Sequence, residues 1–278
     1  MIWLPRASAG RNAKRLLCGL ILSIAWFGGA EMGACKGTPS DVTGVADPQT
    51  YLQEIVSELQ KKWPKNRTIT IVFHGHSVPT GYFRTGQVRP FDSYPHLSHV
   101  ALQKRYPTSV IEIIRTGIGG ENSVKGAQRF EKDVLAKNPD VVAIDYSLND
   151  RHLGLEQPRK AWESMILQAK EAGVKVILLT PTADQRAKLN DPSDPLTQHA
   201  EQVRALAAKN GVALADSYDV FQRYVADGKQ LGPVMSQGNH PNRKGHEMVV
   251  PMITKWFFEP AKVLPATART ASPNKVSH

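Results

Sequence analysis

Cysteine is nearly absent from this chain: its 278 residues hold two, Cys18 and Cys35. Both lie near the N-terminus, so the body of the chain has no pair for a disulfide scaffold and no thiolate set for a metal. Stability must come from an apolar core, for which a hydrophobic content of 41% in one block is sufficient. Long hydrophobic runs are missing too. The apolar stretch from Leu16 to Phe27 falls short of the roughly 20 residues that span a bilayer. There is no internal repeat, and no stripe of one charge. The formal charge is +10, and discounting the segment before Cys35 leaves 31 basic against 24 acidic residues, or +7. These lysines and arginines are scattered through helix-like segments, a distribution that argues against a nucleic-acid partner.

Arg11, Lys14 and Arg15 precede the apolar stretch and small residues follow it, the pattern of an export signal. Met32, Gly33 and Ala34 directly before Cys35 resemble a bacterial lipoprotein processing site, with ordinary cleavage nearby as the alternative because Glu31 fits such a region poorly. Residues 1–35 are therefore expected to be a signal peptide or lipoprotein signal. Residues 36–48, rich in small and turn-forming types, read as a linker, 49–260 as one domain, and 261–278 as a disordered tail. The expected location is outside the cytoplasm, periplasmic or secreted, with lipidated Cys35 as an optional membrane anchor.

Within the domain, helical and strand periodicities alternate. Helices are predicted over Tyr51 to Trp63, Leu97 to Tyr106, Val124 to Ala136, Ala161 to Ala172, His199 to Lys209 and Lys244 to Phe258. Unbroken Val/Ile/Leu runs predict strands over Thr68 to Phe73, Val110 to Ile114, Val141 to Ile144, Val174 to Leu179 and Val212 to Leu214. Strands of this kind are buried on both faces, and their alternation with helices predicts a three-layer α/β/α sandwich on a parallel sheet of about five strands. Functional groups are then expected beyond the carboxyl ends of the strands.

Four loops there carry chemistry. After the first strand comes His74-Gly75-His76-Ser77, where a glycine turn can present a serine hydroxyl and its N–H to one cleft. After the second comes Thr116-Gly117-Ile118-Gly119-Gly120-Glu121-Asn122, open to close backbone approach. After the third, Ser147-Leu148-Asn149-Asp150 brings a side-chain amide. Before the last helix, Gln237-Gly238-Asn239-His240-Pro241-Asn242 places an imidazole on a loop, free to reach a hydroxyl. Singly, each loop reads equally well as a turn or a helix cap.

As an ordered set over Arg67 to Phe258, they resemble the SGNH, or GDSL-like, hydrolases, named for this Ser, Gly, Asn and His. The resemblance implies a flavodoxin-like fold and an exported serine esterase or acylhydrolase acting on carboxylic esters. From its location, O-acyl (acetyl) groups on carbohydrate are the expected substrate. It implies Ser77 as nucleophile, His240 as general base, and an oxyanion hole built from the N–H groups of Ser77 and Gly120 with the Asn149 amide. No metal and no organic cofactor is called for.

Two positions depart from the family. Gln237 stands three residues before His240, where an aspartate usually orients the ring. The orienter is then Gln237 itself, a backbone carbonyl, or another acid such as Asp216 or Asp145; otherwise Ser77 and His240 work as a dyad. His76 replaces the usual aspartate before the serine, and a His74-x-His76 pair raises the prospect of a metal-assisted hydrolase. The pattern is also compatible with a catalytically silent carbohydrate-binding relative and with a lipase or lysophospholipase. No apolar lid supports the lipase, and Arg84, Arg89, Arg115 and Arg151 lie near the strand-end loops instead.

Overall fold

In the computed structural model, residues 44–258 are described. The leader over 1–35, Cys35, most of the linker and the tail over 261–278 lie outside them. Five strands form one parallel sheet: β1 (Thr68–Gly75), β2 (Val110–Arg115), β3 (Val141–Asp145), β4 (Lys175–Leu179) and β5 (Ala213–Ala215), in the spatial order β2-β1-β3-β4-β5. This is the flavodoxin-like order, whose reversal beside β1 opens a crevice at the strands' carboxyl ends.

Strands β1, β3 and β4 have no polar face because both of their faces are covered; the edge strand β2 is more open, with Val110 and Glu112 exposed. Ile71 and Phe73 of β1, Val141 and Ala143 of β3, and Ile177 and Leu179 of β4 enter one core. The intervening Val72, Val142, Ile144, Val176 and Leu178 enter the other. This is the two-residue alternation of a pleated strand with an apolar layer on each side. On the first face the helices Tyr94–Arg105 and Arg243–Thr254 contribute Leu102, Val249 and Ile253. On the second, Glu156–Glu171 contributes Trp162, Met165, Ile166 and Ala169. Helix Pro195–Asn210 serves both, with Leu196 and Ala200 on one side and Val203 and Leu206 on the other. Full burial of each such aliphatic side chain is worth about 1.5–3 kcal/mol.

The predicted elements are present, with differences at their ends. Helix Val124 to Ala136 is interrupted: it runs as Ser123–Gln128, Phe130–Asp133 and a 3-10 turn at Leu135–Lys137, with Arg129 out of helical geometry at φ −113, ψ 7. A further helix at Ser217–Ala226 carries Tyr218 and Phe221 into the core. Two short antiparallel ladders also stand outside the main sheet, Tyr82–Arg84 with Gln87–Val88 and Met235–Gln237 with His240–Pro241.

β1 ends where it must run flush against β3: a Cβ added at Gly75 would collide with the carbonyl oxygen of Asp145 and lie 2.8 Å from the Pro79 ring. Gly75→Ala is therefore expected to lower stability by about 1–3 kcal/mol through overpacking, read as a reduced urea midpoint at unchanged slope. An unchanged midpoint would show that the strand end is looser than this contact implies.

Candidate active site

Ser77 opens a single helical turn, Ser77–Thr80, at the carboxyl end of β1, and is buried. As its first residue, Ser77 has an N–H with no partner inside the turn. His76 caps this turn, its Nδ1 accepting the Val78 N–H at 3.2 Å. That bond fixes the proton on His76 Nε2, which faces Asp145 Oδ1 at 3.3 Å. Neither atom makes a hydrogen bond among the described residues, so the pair is a close contact between buried groups. Asp145 is held from its other oxygen by the Tyr94 hydroxyl at 2.8 Å, and Tyr94 N donates to His246 Nδ1 at 3.3 Å. A buried polar chain thus lies under the serine.

His240 arrives from the far end of the chain on the short ladder before helix Arg243–Thr254. Asn242 caps that helix, accepting from Gly245 N at 3.2 Å while its amide donates to Pro233 O at 2.9 Å. The result is a His240 Nε2 to Ser77 Oγ distance of 2.9 Å. With Nε2 accepting the hydroxyl, the imidazole proton sits on Nδ1, and Nδ1 is buried without a hydrogen-bond partner among the described residues. Burial, followed by the neighbouring His76 imidazole, pushes His240 below the ordinary histidine value, and Asp184 pulls it the other way. Asp184 acts through space: its carboxylate is occupied by Arg151 at 2.6 Å and by Arg186 at 2.8 Å.

The three side chains suggested by sequence as orienters are all engaged elsewhere. Gln237 is exposed and turns away, its Oε1 accepting the Thr85 N–H at 2.9 Å. Asp216 caps helix Ser217–Ala226 and pairs with Arg204 at 2.8 Å, and also accepts the Thr180 hydroxyl at 2.9 Å. Asp145 serves His76. None of the three bonds to His240.

The second and third loops meet beside the serine. Gly117 nests so closely that a Cβ there would clash with Thr80 Oγ1 and the His76 carbonyl, which locks the glycine loop against the serine turn. Gly120 sits at φ +75 with open space where a side chain would be, a conformation that suits glycine and leaves room for a ligand. Asn149 donates one amide N–H to the Glu121 carbonyl at 2.8 Å, leaving its second N–H for another acceptor.

Several supporting residues carry no motif of their own. Glu121 is buried, paired with Arg129 at 2.5 Å and accepting from Tyr146 Oη at 2.9 Å, which anchors the loop just after Gly120. Drawing Arg129 onto Glu121 accompanies the break in its helix. Asp150 accepts from Ser123 N and Trp162 Nε1, both at 2.8 Å. The serine-side hairpin escaped sequence reasoning, yet its Tyr82 ring lies 6.3 Å from that of His240. His74 bonds Thr116 Oγ1 at 2.8 Å and the Gly126 carbonyl at 3.1 Å, and burial pushes it down to about 3. Both of its nitrogens are thereby committed, and a His74–His76 metal pair does not converge. An open depression of about 750 Å³ flanks the His240 loop near Gln185, Lys188 and Leu231, but neither Ser77 nor His240 lines it.

Residues 73–248 match the model of the GDSL-like Lipase/Acylhydrolase family. An acetylxylan esterase from Geobacillus stearothermophilus is 26% identical over 160 residues, 52% of this chain and 71% of that protein. The crystal structure of a catalytic mutant of an acetylxylan esterase from the same organism superposes with a TM-score of 0.60 at 20% identity, over 68% of this chain and 94% of that one. A two-domain esterase active on acetylated mannans superposes with a TM-score of 0.62 at 22% identity, over 85% of this chain and 60% of that one. At such identities the superpositions speak for the fold. The family match covers more than half of the chain and includes Ser77, Gly120, Asn149 and His240, so the protein belongs to the GDSL-like lipase/acylhydrolase family and is a carboxylic ester hydrolase.

Proposed function

We propose that this protein removes O-acetyl groups from carbohydrate, with Ser77 and His240 acting as a dyad. The observation that carries the reading is the 2.9 Å approach of His240 Nε2 to Ser77 Oγ at the carboxyl end of the sheet. His240 takes the hydroxyl proton as Ser77 Oγ bonds to the ester carbonyl carbon. The oxyanion is met by the N–H groups of Ser77 and Gly120 and the free N–H of Asn149. Collapse expels the sugar hydroxyl, protonated by His240, and water activated by the same ring releases acetate. The step needs no redox partner and no metal. The substrate class is supported by the relatives, which are described as esterases of acetylated xylan and mannan. The export signal and the Cys35 processing site remain part of the proposal on the residues that suggested them, and an exported enzyme meets polysaccharide rather than cytosolic esters.

One observation favours a second reading, that of a silent glycan-binding relative: the proton on His240 Nδ1 has no acceptor among the described residues. Acetate release from acetylated xylo-oligosaccharide separates the two. On the esterase reading, Ser77→Ala lowers the rate by at least roughly 10⁴-fold and Asn149→Ala lowers kcat by roughly 10²- to 10³-fold. A folded wild-type protein that binds the oligosaccharide without turnover would establish the silent relative.

Gln237 bonds Thr85 rather than the imidazole. Gln237→Ala is therefore expected to cost less than about tenfold in kcat/KM, under about 1.4 kcal/mol, while His240→Ala costs nearly as much as Ser77→Ala. Equal losses from the Gln237 and His240 substitutions would contradict the dyad.

A further inference from the structure

The hairpin that contains Tyr82–Arg84 and Gln87–Val88 rests on the catalytic loops. Ser236 Oγ donates to the Phe83 carbonyl, and Thr85 N donates to Gln237 Oε1 at 2.9 Å. Tyr82 packs beside the His240 ring, and a Cβ on Gly119 would lie 2.9 Å from its Cζ. The hairpin therefore touches both the loop that carries the imidazole and the glycine loop, with Tyr82 facing the His240 ring.

Its charge is unbalanced. The Arg84 and Arg89 guanidinium carbons lie 4.9 and 3.8 Å from the centroid of the same Phe83 ring. Arg115, at the carboxyl end of β2, donates to the Pro90 carbonyl at 2.9 Å. All three residues are exposed. Most described arginines are ion-paired with a carboxylate; Arg84, Arg89, Arg105 and Arg115 are the exceptions among the described residues. Between Gly81 and Ser93 the sole acid is Asp92, already paired with Arg243 at 3.0 Å. The Phe83 ring holds two cations by an interaction worth about 0.5–1 kcal/mol at an exposed site, which orders the guanidinium forks without neutralising them. Such forks match a carboxylate in two-point geometry.

We infer that Arg84 and Arg89, with Arg115 behind them, form a subsite for a carboxylate on the glycan, so that the preferred substrate is an O-acetylated chain bearing uronic acid. The inference rests on the carbohydrate-esterase reading of Ser77 and His240. The carboxylate stays on the product and takes no part in bond cleavage. Its contact is the same in ground and transition states, so it acts on KM and not on kcat.

The test compares acetylated xylo-oligosaccharides with and without a glucuronic acid branch, at low and high salt, for the wild type, Arg84→Ala/Arg89→Ala and Arg84→Lys/Arg89→Lys. The wild type is expected to favour the acidic substrate by roughly tenfold in kcat/KM, mainly through KM, with the preference shrinking as salt screens it. The alanine pair brings the ratio to about one, and the lysine pair restores part of it by keeping charge without the fork. Both hairpin positions are exposed, and thermal unfolding checks that the variants fold. Equal kcat/KM for the two substrates in the wild type, or a ratio untouched by the alanine pair, overturns the subsite and leaves the esterase standing. No acetate from either substrate overturns the esterase reading and the subsite with it.

Discussion

Close approach between the end of β1 and its neighbours governs the reactive end of this sheet. Gly75 registers with Asp145 on β3, and its carbonyl accepts the Ile118 N–H at 3.1 Å from the loop after β2. Gly117 then lies directly against the His76 carbonyl and Thr80. Side chains at 75 or 117 would push these segments apart. Without them, the serine turn, the glycine loop and the Asn149 turn share one small volume, and a loop from residue 240 has a surface to dock on. Backbone proximity, rather than any single side chain, thus assembles the site.

What lies beneath the serine is polar, buried and costly unless paired. His76, Asp145, Tyr94 and His246 form a row in which His246 is pushed down to about 3 by burial, so it serves as a neutral acceptor. Asp145 is thereby committed to the row and not to His240. The imidazole of His240 is left with hydroxyl on one side and an unanswered Nδ1 on the other, its electrostatics set by burial, His76 and the arginine-clamped Asp184. An uncompensated donor of this kind costs about 1–3 kcal/mol, a burden carried at a functional position rather than in the core.

The parallel sheet was legible because its inner strands are buried on both faces and so appear as continuous apolar runs, Val141 to Ile144 most plainly. The approach of Ser77 and His240 was foreshadowed because strand-end loops carry both, in the same fixed order as Gly120 and Asn149. Side-chain direction was not: nothing local says that Gln237 turns to Thr85 or that Asp216 spends its charge on Arg204, since both partners lie on other elements. Helix Ser217–Ala226 did leave a signal, Asp216 as cap followed by Tyr218 and Phe221 at helical spacing. The Tyr82–Val88 hairpin left almost none, because its strands are too short for alternation to register. The interruption at Arg129 is likewise a tertiary effect, as its guanidinium closes on Glu121 and Tyr146.

The central claim is that Ser77 and His240 work without a carboxylate on the imidazole. In the free enzyme the ring must be neutral to take the serine proton, so kcat/KM for acetate release rises as pH passes the His240 pKa. A ring whose pKa is lowered by burial and by His76, with no acceptor on Nδ1, places the midpoint of that acid limb below the ordinary value of 6.5. The direct measurement is the pH profile of kcat/KM on an acetylated oligosaccharide, with the limb assigned to His240 by its NMR titration. A midpoint below 6.5 is the predicted result; a midpoint at or above about 7, the mark of an imidazolium stabilised by a bonded carboxylate, would contradict the account.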